Sequence, residues 1–429
     1  MIDVERINKL SPQRRNQIMD RSMPDLTDVF PRVRSILDNI KQNGDKENLR
    51  EHRQYKSKIT AADLKAKKSE IKGAYEQVHP DVVRALRKAA QNIRTFHQAQ
   101  IEREMWSTEV DSGIIAGRIT RPLDIVGAYV PGGRASYPSS VLMNLIPAKV
   151  AGVGKVVMAT PPAKNMKVPA VTLVAADIAG ADEIYKIGGP WAVGSMAYGT
   201  QTVPKVDKIV GPGSKWVTAA KMLVFGTVDI DSPAGPSEGL ILADETANVD
   251  WIVWDFFSQL EHDPDAASIL VTTSQTLAEN MVAKIKEIFP NVPRKEIVKE
   301  SLKANAAVLV AKNLDEAIQF SNDYAPEHLQ IITEDPWAVL PKIQHAGSIF
   351  MGPYAPIPCG DYASGTNHVL PTGRAARMFS GLSVDDFIKK STFQYLTKDG
   401  LKKLSKTVIT LAESEGLPIH AETIRSRFK

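Results

Sequence analysis

Residues 238–273 read EGLILADETANVDWIVWDFFSQLEHDPDAASILVTT, and this stretch decides the fold class. EGLILAD and ASILVTT are short apolar runs of strand length, and WIVWDFFSQLEH between them carries apolar residues at helical spacing. A strand, a helix and a second strand in succession predict two parallel strands with the helix crossing one face. AAVLVAK, HLQIIT and SIFMGP continue the series, spaced by LAENMVAKIKEIF, LDEAIQFSNDYA and WAVLPKIQHAG. An earlier series has the same rhythm, with DIVGAYV, KVVMATPP, EIYKIGG and KIVGPG as strands and VLMNLIPAKVAG, AVTLVAADIAGA and AVGSMAYG as helices. Two such runs predict two largely parallel α/β sheets of similar design, joined near residues 233–238.

The flanks read differently. The first 110 residues are predicted as helices with polar faces: Ser22 and Asp25 flank Pro24 ahead of LTDVFPRVRSILDNIKQNG, which Gly44 can close, and Pro80-Asp81 opens VVRALRKAAQNIRTFHQAQ. After Pro371, GLSVDDFIKK, KDGLKKLSKTVITLAESEG and AETIRSRFK read as a small helical tail.

Composition narrows the function classes. The chain has 429 residues, 43% hydrophobic and 24% charged, the balance of a globular protein with ample core. A single cysteine, Cys359, excludes an intrachain disulfide, a thiolate metal cage and a CxxC redox pair. No basic segment followed by an apolar run marks a signal peptide, and Asn144, Lys149 and Lys155 interrupt the apolar stretch 139–159 short of the roughly 20 residues a membrane helix needs. A reducing cytoplasm is the expected compartment, with no membrane partner. The formal charge of +4 is uneven, since residues 1–100 hold 21 Lys and Arg against 13 Asp and Glu. Those basic residues interleave with acids and have no aromatic ladder beside them, so a solvated face is expected there and no nucleic acid.

Several clusters carry chemistry. Gly127, Gly132 and Gly133, then Gly188-Gly189, then Gly211 and Gly213, end successive strands, where open α/β sheets bind ligands; none fits GxGxxG, so each is either a tight turn or a phosphate cradle. Gln259 and His262 are three apart at a helix end and can reach a common ion, or form a solvated helix end. Glu327 and His328 precede an apolar strand and offer acid and base groups near neutral pH if the backbone turns at Pro326. CGDYASGTNHVLPTG crowds Asp361, Thr366, Asn367 and His368 into one glycine-punctuated loop. Glu415 and His420 lie in the tail, so to join the same site the tail must fold back or cross to a partner chain.

The segments VGAYVPGG, VPKVDKIVGPGS, DSPAGPSEGLILAD, SQLEHDPD, APEHLQIIT and GDYASGTNHVLPTG, in this order and spacing, resemble the histidinol dehydrogenase family over nearly the whole chain. The resemblance implies two incomplete Rossmann-like domains. A helical arm (1–22) precedes a discontinuous first α/β domain (23–127 and 237–380) that holds most of the site, a second α/β domain on the NAD side (128–236), and a helical tail (381–429) exchanged in a homodimer. It implies one zinc ion per subunit bound by Gln259, His262, Asp361 and His420, and NAD near Tyr129, Trp191 and Ser214. The implied reaction is the four-electron oxidation of L-histidinol, through histidinal, to L-histidine, with His328 as base and Glu327 activating water. Ser237, Gln259, His262, His328, Asp361, His368, Glu415 and His420 are the implied substrate contacts. The chain departs from the common family pattern at Trp191, Ser214 and Ile357, where Gln, Asn and Glu are usual. The rival is a related zinc- and NAD-dependent alcohol dehydrogenase acting on another small polar alcohol, such as a sulfonated diol. A sulfonate wants a cationic pocket, whereas Glu415 suits a cationic ligand.

Overall fold

The apolar runs become strands because both faces of each sheet are covered, so no side of a strand has to be polar. The computed structural model describes residues 2–21, 26–53, 59–132, 136–233 and 235–429. Ser22, Pro24, Asp25 and Gly133, used above as start and turn signals, lie outside the described residues. The chain opens with β1 (Val4–Arg6), and β2 (Met105–Asp111) and β3 (Ile114–Pro122) follow the N-terminal helices. The first α/β series gives β4 (Ile125–Tyr129), β5 (Lys155–Ala159), β6 (Glu183–Tyr185), β7 (Lys208–Val210) and β8 (Asp229–Ile230). The second gives β9 (Glu238–Ala243), β10 (Ala267–Thr272), β11 (Ala306–Val310), β12 (His328–Ile332) and β13 (Ser348–Met351), and β14 (Ile388–Leu396) comes last.

The chain divides into two units, Met1–Gln100 with Leu123–Phe387, and Ile101–Pro122 with Ile388–Lys429. The first holds both parallel sheets. One runs β6-β5-β4-β7-β8, the other β1-β11-β10-β9-β12-β13, and every pairing in them is parallel. In each, the first strand of its series lies in the middle and the order reverses beside it, between β4 and β7 and between β9 and β12. Alternate residues of β9 and β10 serve two cores: Ile241, Ala243 and Leu270 face one, and Leu240, Leu242, Ile269 and Val271 the other. The helix Val249–Leu260 covers the first of these faces with Ile252, Val253, Phe256, Phe257 and Leu260.

Three elements differ from the sequence reading. The N-terminal arm begins with a strand, β1, which extends the six-stranded sheet beyond β11. Residues 30–98, grouped above with 237–380, supply helices that pack on the five-stranded sheet: Val33 and Leu37 share a core with Tyr129 and Met196, and Leu86 and Ile93 share one with Val126 and Met158. The tail is not all helical. Asp386 accepts the Ser383 N–H at 2.8 Å and closes a single turn, and the β-branched and aromatic run after it forms β14.

The second unit is built on the antiparallel sheet β14-β3-β2, followed by the helices Lys398–Ser414 and Pro418–Arg425. Its buried residues are Gly117, Gly400, Ala412 and Ala421. No helix among the described residues is long and apolar enough to cross a membrane.

Phe256 is fully buried where the helix leading to Gln259 and His262 meets the sheet. Phe256→Ala is expected to lower unfolding stability by about 3–5 kcal/mol, measured by denaturant titration; a loss below about 1 kcal/mol would show that this helix is not held by its apolar face.

Candidate active site

Two edges of the first unit gather the residues singled out from sequence. In the six-stranded sheet they lie at the N-terminal ends of β9 and β12. The register places His328 opposite Gly239, with Glu238 and Glu327 just before that pair. The turn into β12 passes through Ala325, a non-glycine residue with φ of 48°. Pro326 follows, and Glu327 and His328 both reach the same recess instead of diverging: Glu327 Oε2 lies 3.5 Å from His328 Nδ1.

The His328 ring is fixed from both sides. Nδ1 lies 3.2 Å from the Glu238 carbonyl oxygen, which can only accept, so Nδ1 carries the proton and Nε2 holds the lone pair in the neutral ring. Nε2 is buried without a hydrogen-bond partner among the described residues and lies 3.4 Å from Asp361 Oδ1. Asp361 sits in the short helix Ile357–Tyr362, and its backbone carbonyl accepts from His368 Nδ1 at 2.7 Å. His368 Nε2 then accepts from the Ser140 hydroxyl at 3.2 Å, on the first turn of the helix after β4.

Gln259 lies on the buried side of its helix, three residues past Phe256, packed so closely under Gly239 that a Cβ there would come within 2.8 Å of Gln259 Cγ. Both its amide oxygen and nitrogen are buried without hydrogen-bond partners among the described residues. A buried amide left unsatisfied is costly, which suits a site completed by a ligand. His262 follows just past the helix end. Burial in the surrounding protein lowers its pKa, against the Asp361 carboxylate. Among the described residues no group of three or more His, Cys, Asp or Glu side chains is arranged to hold a metal ion. What the recess offers is a mixed set, Gln259, His262 and Asp361, whose nitrogen and oxygen donors suit zinc.

Burial and charge set the protonation of the pair. Glu327 is 5% exposed, and burial pushes its pKa up to about 8, against the pull of His328. For His328, burial favours the neutral ring, but Glu327 and Asp361 outweigh it and raise the pKa to about 9. Asp361 goes the other way: burial would raise it, and its contact with His328 holds it below the usual carboxylate range. Burial lowers the pKa of His368 and keeps it neutral.

The second edge is the C-terminal end of the five-stranded sheet, at its order reversal. Tyr129 ends β4, and its buried hydroxyl accepts the Gly189 N–H at 3.2 Å. Gly211 follows β7 with φ of 116°, and a Cβ there would clash with the Tyr129 carbonyl oxygen. Trp191 is half-buried and its indole N–H donates to Glu47 at 3.4 Å, while Ser214 opens the helix Lys215–Val224 with its side chain exposed.

Ser237 is half-buried directly before Glu238, its carbonyl accepting the Ala267 N–H at 3.0 Å. Ile357 is fully buried, near Gly239 and Gln259. Glu415 and His420 belong to the second unit and are exposed. Sequence reasoning missed Ser140, which sits in an unremarkable YPSS stretch, and the pair Arg21 and Glu238. The signal for Glu238 was available: a carboxylate opens a strand that is otherwise wholly apolar, and a buried carboxylate requires a partner.

The family model for histidinol dehydrogenase matches residues 19–428. The histidinol dehydrogenase of Methanothermobacter thermautotrophicus is 49% identical over 99% of both chains, and that of Methanosarcina mazei is 51% identical over 94% of this chain and 93% of its own. The crystal structure of histidinol dehydrogenase from Elizabethkingia anophelis superposes with a TM-score of 0.94 at 36% identity, covering 99% of this chain and 97% of that one. With sequence and fold in agreement over essentially its whole length, this chain belongs to the histidinol dehydrogenase family.

Proposed function

We propose that the protein oxidises L-histidinol through L-histidinal to L-histidine, a four-electron NAD-dependent reaction at the end of histidine biosynthesis. The observation that carries this reading is the buried Glu327–His328 pair set beside the unsatisfied Gln259 amide, His262 and Asp361. The names of the relatives support it.

Gln259, His262 and Asp361, with His420 as fourth donor, would hold one zinc ion, and NAD would bind at the edge lined by Tyr129, Trp191 and Ser214. When bound, the metal would take up the Asp361 charge and orient the substrate, and NAD would accept hydride. In the neutral ring, which becomes more abundant as pH rises toward the His328 pKa of about 9, Nε2 takes the hydroxyl proton in the alcohol step, with Nδ1 pinned to a carbonyl. The Glu327 carboxylate takes a proton from the water that adds to the aldehyde, and His328 accepts the proton of the hydrated aldehyde as it is oxidised. A pKa near 8 suits Glu327 to taking and returning a proton close to neutral pH. Burial of both groups keeps bulk water from a reactive aldehyde. Ser237 and His368 contact the substrate, and Glu415 accepts from its ammonium or imidazole N–H.

Glu415 and His420 reach this recess from a second copy of the chain, in a homodimer with exchanged tails. The make-up of the second unit supports this. Nothing larger than a methyl group is buried in it, β2 is exposed along its whole length, and Met105, Val110, Tyr395, Leu411 and Ile419 face outward. The exposed single cysteine fits a reducing cytoplasm.

Zinc-loaded protein given L-histidinol and excess NAD is expected to yield two NADH per substrate, a yield abolished by a chelator; one NADH, or none, would overturn the reading. Glu327→Gln should slow aldehyde oxidation by roughly 10²- to 10⁴-fold and alcohol oxidation far less; equal losses in separate assays of the two steps would count against a role in hydration. Because both Glu327 and His328 have folded pKa values above their ordinary ones, the stability they contribute is fully present below about pH 4.5 and is lost as pH rises through 8 and 9. Melting temperatures of chelator-treated protein between pH 5 and 9 should therefore fall less steeply in Glu327→Gln than in the wild type. Mixing His262→Ala and His420→Ala chains should restore one good site per mixed dimer, and mixtures no more active than their components would exclude tail exchange.

A further inference from the structure

The Glu327–His328 pair rests on a second buried ion pair that the reaction above does not use. Arg21 and Glu238 are 6% and 2% exposed, and the Arg21 fork holds both carboxylate oxygens of Glu238, with Nη2 2.6 Å from Oε1 and Nε bonded to Oε2. The same Nη2 donates to the carbonyls of Tyr324, at 2.9 Å, and Ala325, at 3.3 Å, where the helix Leu314–Tyr324 ends and the chain turns toward the site. The guanidinium carbon lies 3.4 Å from the centre of the Tyr324 ring. Glu238 passes this restraint on. Its Oε1 accepts the N–H of Glu327 and that of Gly373, each at 3.2 Å; its own N–H donates to Glu327 Oε2 at 2.9 Å; and its carbonyl holds His328 Nδ1. Glu238 and Glu327 are thus joined reciprocally, backbone to carboxylate in both directions. Among the described residues Arg21 makes no hydrogen bond to Glu327 or His328, yet it grips both structures that aim them, the end of the helix and the start of β9.

We propose that Arg21 is a positioning residue for the proton-transfer pair, acting through Glu238 and through the Tyr324 and Ala325 carbonyls to fix the turn that carries Glu327 and His328. The N-terminal segment is then part of the site's scaffold although it supplies no group to the chemistry. The inference rests on the roles given above to Glu327 and His328.

The test uses full-length zinc-loaded protein and four variants: Arg21→Lys, Arg21→Met, the double variant Arg21→Met/Glu238→Gln, and Glu327→Gln. For each, kcat and KM are measured separately for histidinol and histidinal, per folded molecule as judged by near-ultraviolet circular dichroism. Arg21→Met should lose roughly 10²-fold in kcat with a much smaller change in KM, as expected for misplacement by about 1 Å. Arg21→Lys keeps the charge without the fork and should recover part of that loss. The double variant leaves no buried charge unpaired, so it decides the matter if Arg21→Met fails to fold. It should remain slow, because nothing then grips the two carbonyls. Wild-type kcat per folded molecule in the double variant, or Arg21→Lys no better than Arg21→Met, would overturn the proposal. Glu327→Gln separates the two ideas: if it leaves histidinal oxidation intact, the role of Glu327 falls; if it is slow while the Arg21 variants are not, the role of Arg21 falls.

Discussion

The parallel register that sets His328 opposite Gly239 is the constraint on which the site depends. Side chains alternate along a strand, so a slip of one residue would turn Leu329 toward the recess and His328 into the core beneath. The absent side chain at Gly239 makes room for Gln259 from the helix below, and the residue before it, Glu238, meets Glu327. Burying a carboxyl and an imidazole is unfavourable for each alone, and the recess answers this with mutual contact and fixed backbone partners. The same arrangement that makes the pair costly to bury raises both pKa values into the range where protons exchange readily.

The two sheets share a strand order but use opposite edges. In the five-stranded sheet the candidate cofactor residues follow the general rule for open α/β sheets, at the carboxyl ends of the strands where the order reverses. In the six-stranded sheet the acid–base cluster lies at the amino ends of β9 and β12, beside the strands that flank its own reversal. The helix Pro138–Val150 spans the two, since it follows β4 in the chain and its Ser140 meets His368 beside Asp361.

Much of this was legible in the sequence. Alternating apolar runs and helical spacings disclosed both sheets, and the polar clusters around Gln259, Glu327 and Asp361 stood out because polar side chains interrupt apolar rhythm. What stayed hidden has a common physical cause, namely contacts between residues far apart in the chain. Arg21 and Glu238 are 217 positions apart, and neither has a local pattern that points to the other. β1 is only three residues long and β14 follows a segment, SVDDF, whose composition allows a turn as readily as a helix; in both, pairing with a distant strand settles the conformation.

The second unit, with glycines and alanines as its buried residues, has a consequence of another kind. Sixty or so residues with so small an interior bury little apolar surface to set against the conformational entropy of folding. If another copy covers them, their stability becomes a matter of mass action, with about 1.4 kcal/mol of the coupling lost for each tenfold dilution. The folded tail would then be a property of the population of chains and not of the single molecule, and freshly made protein would become active only as its concentration rose.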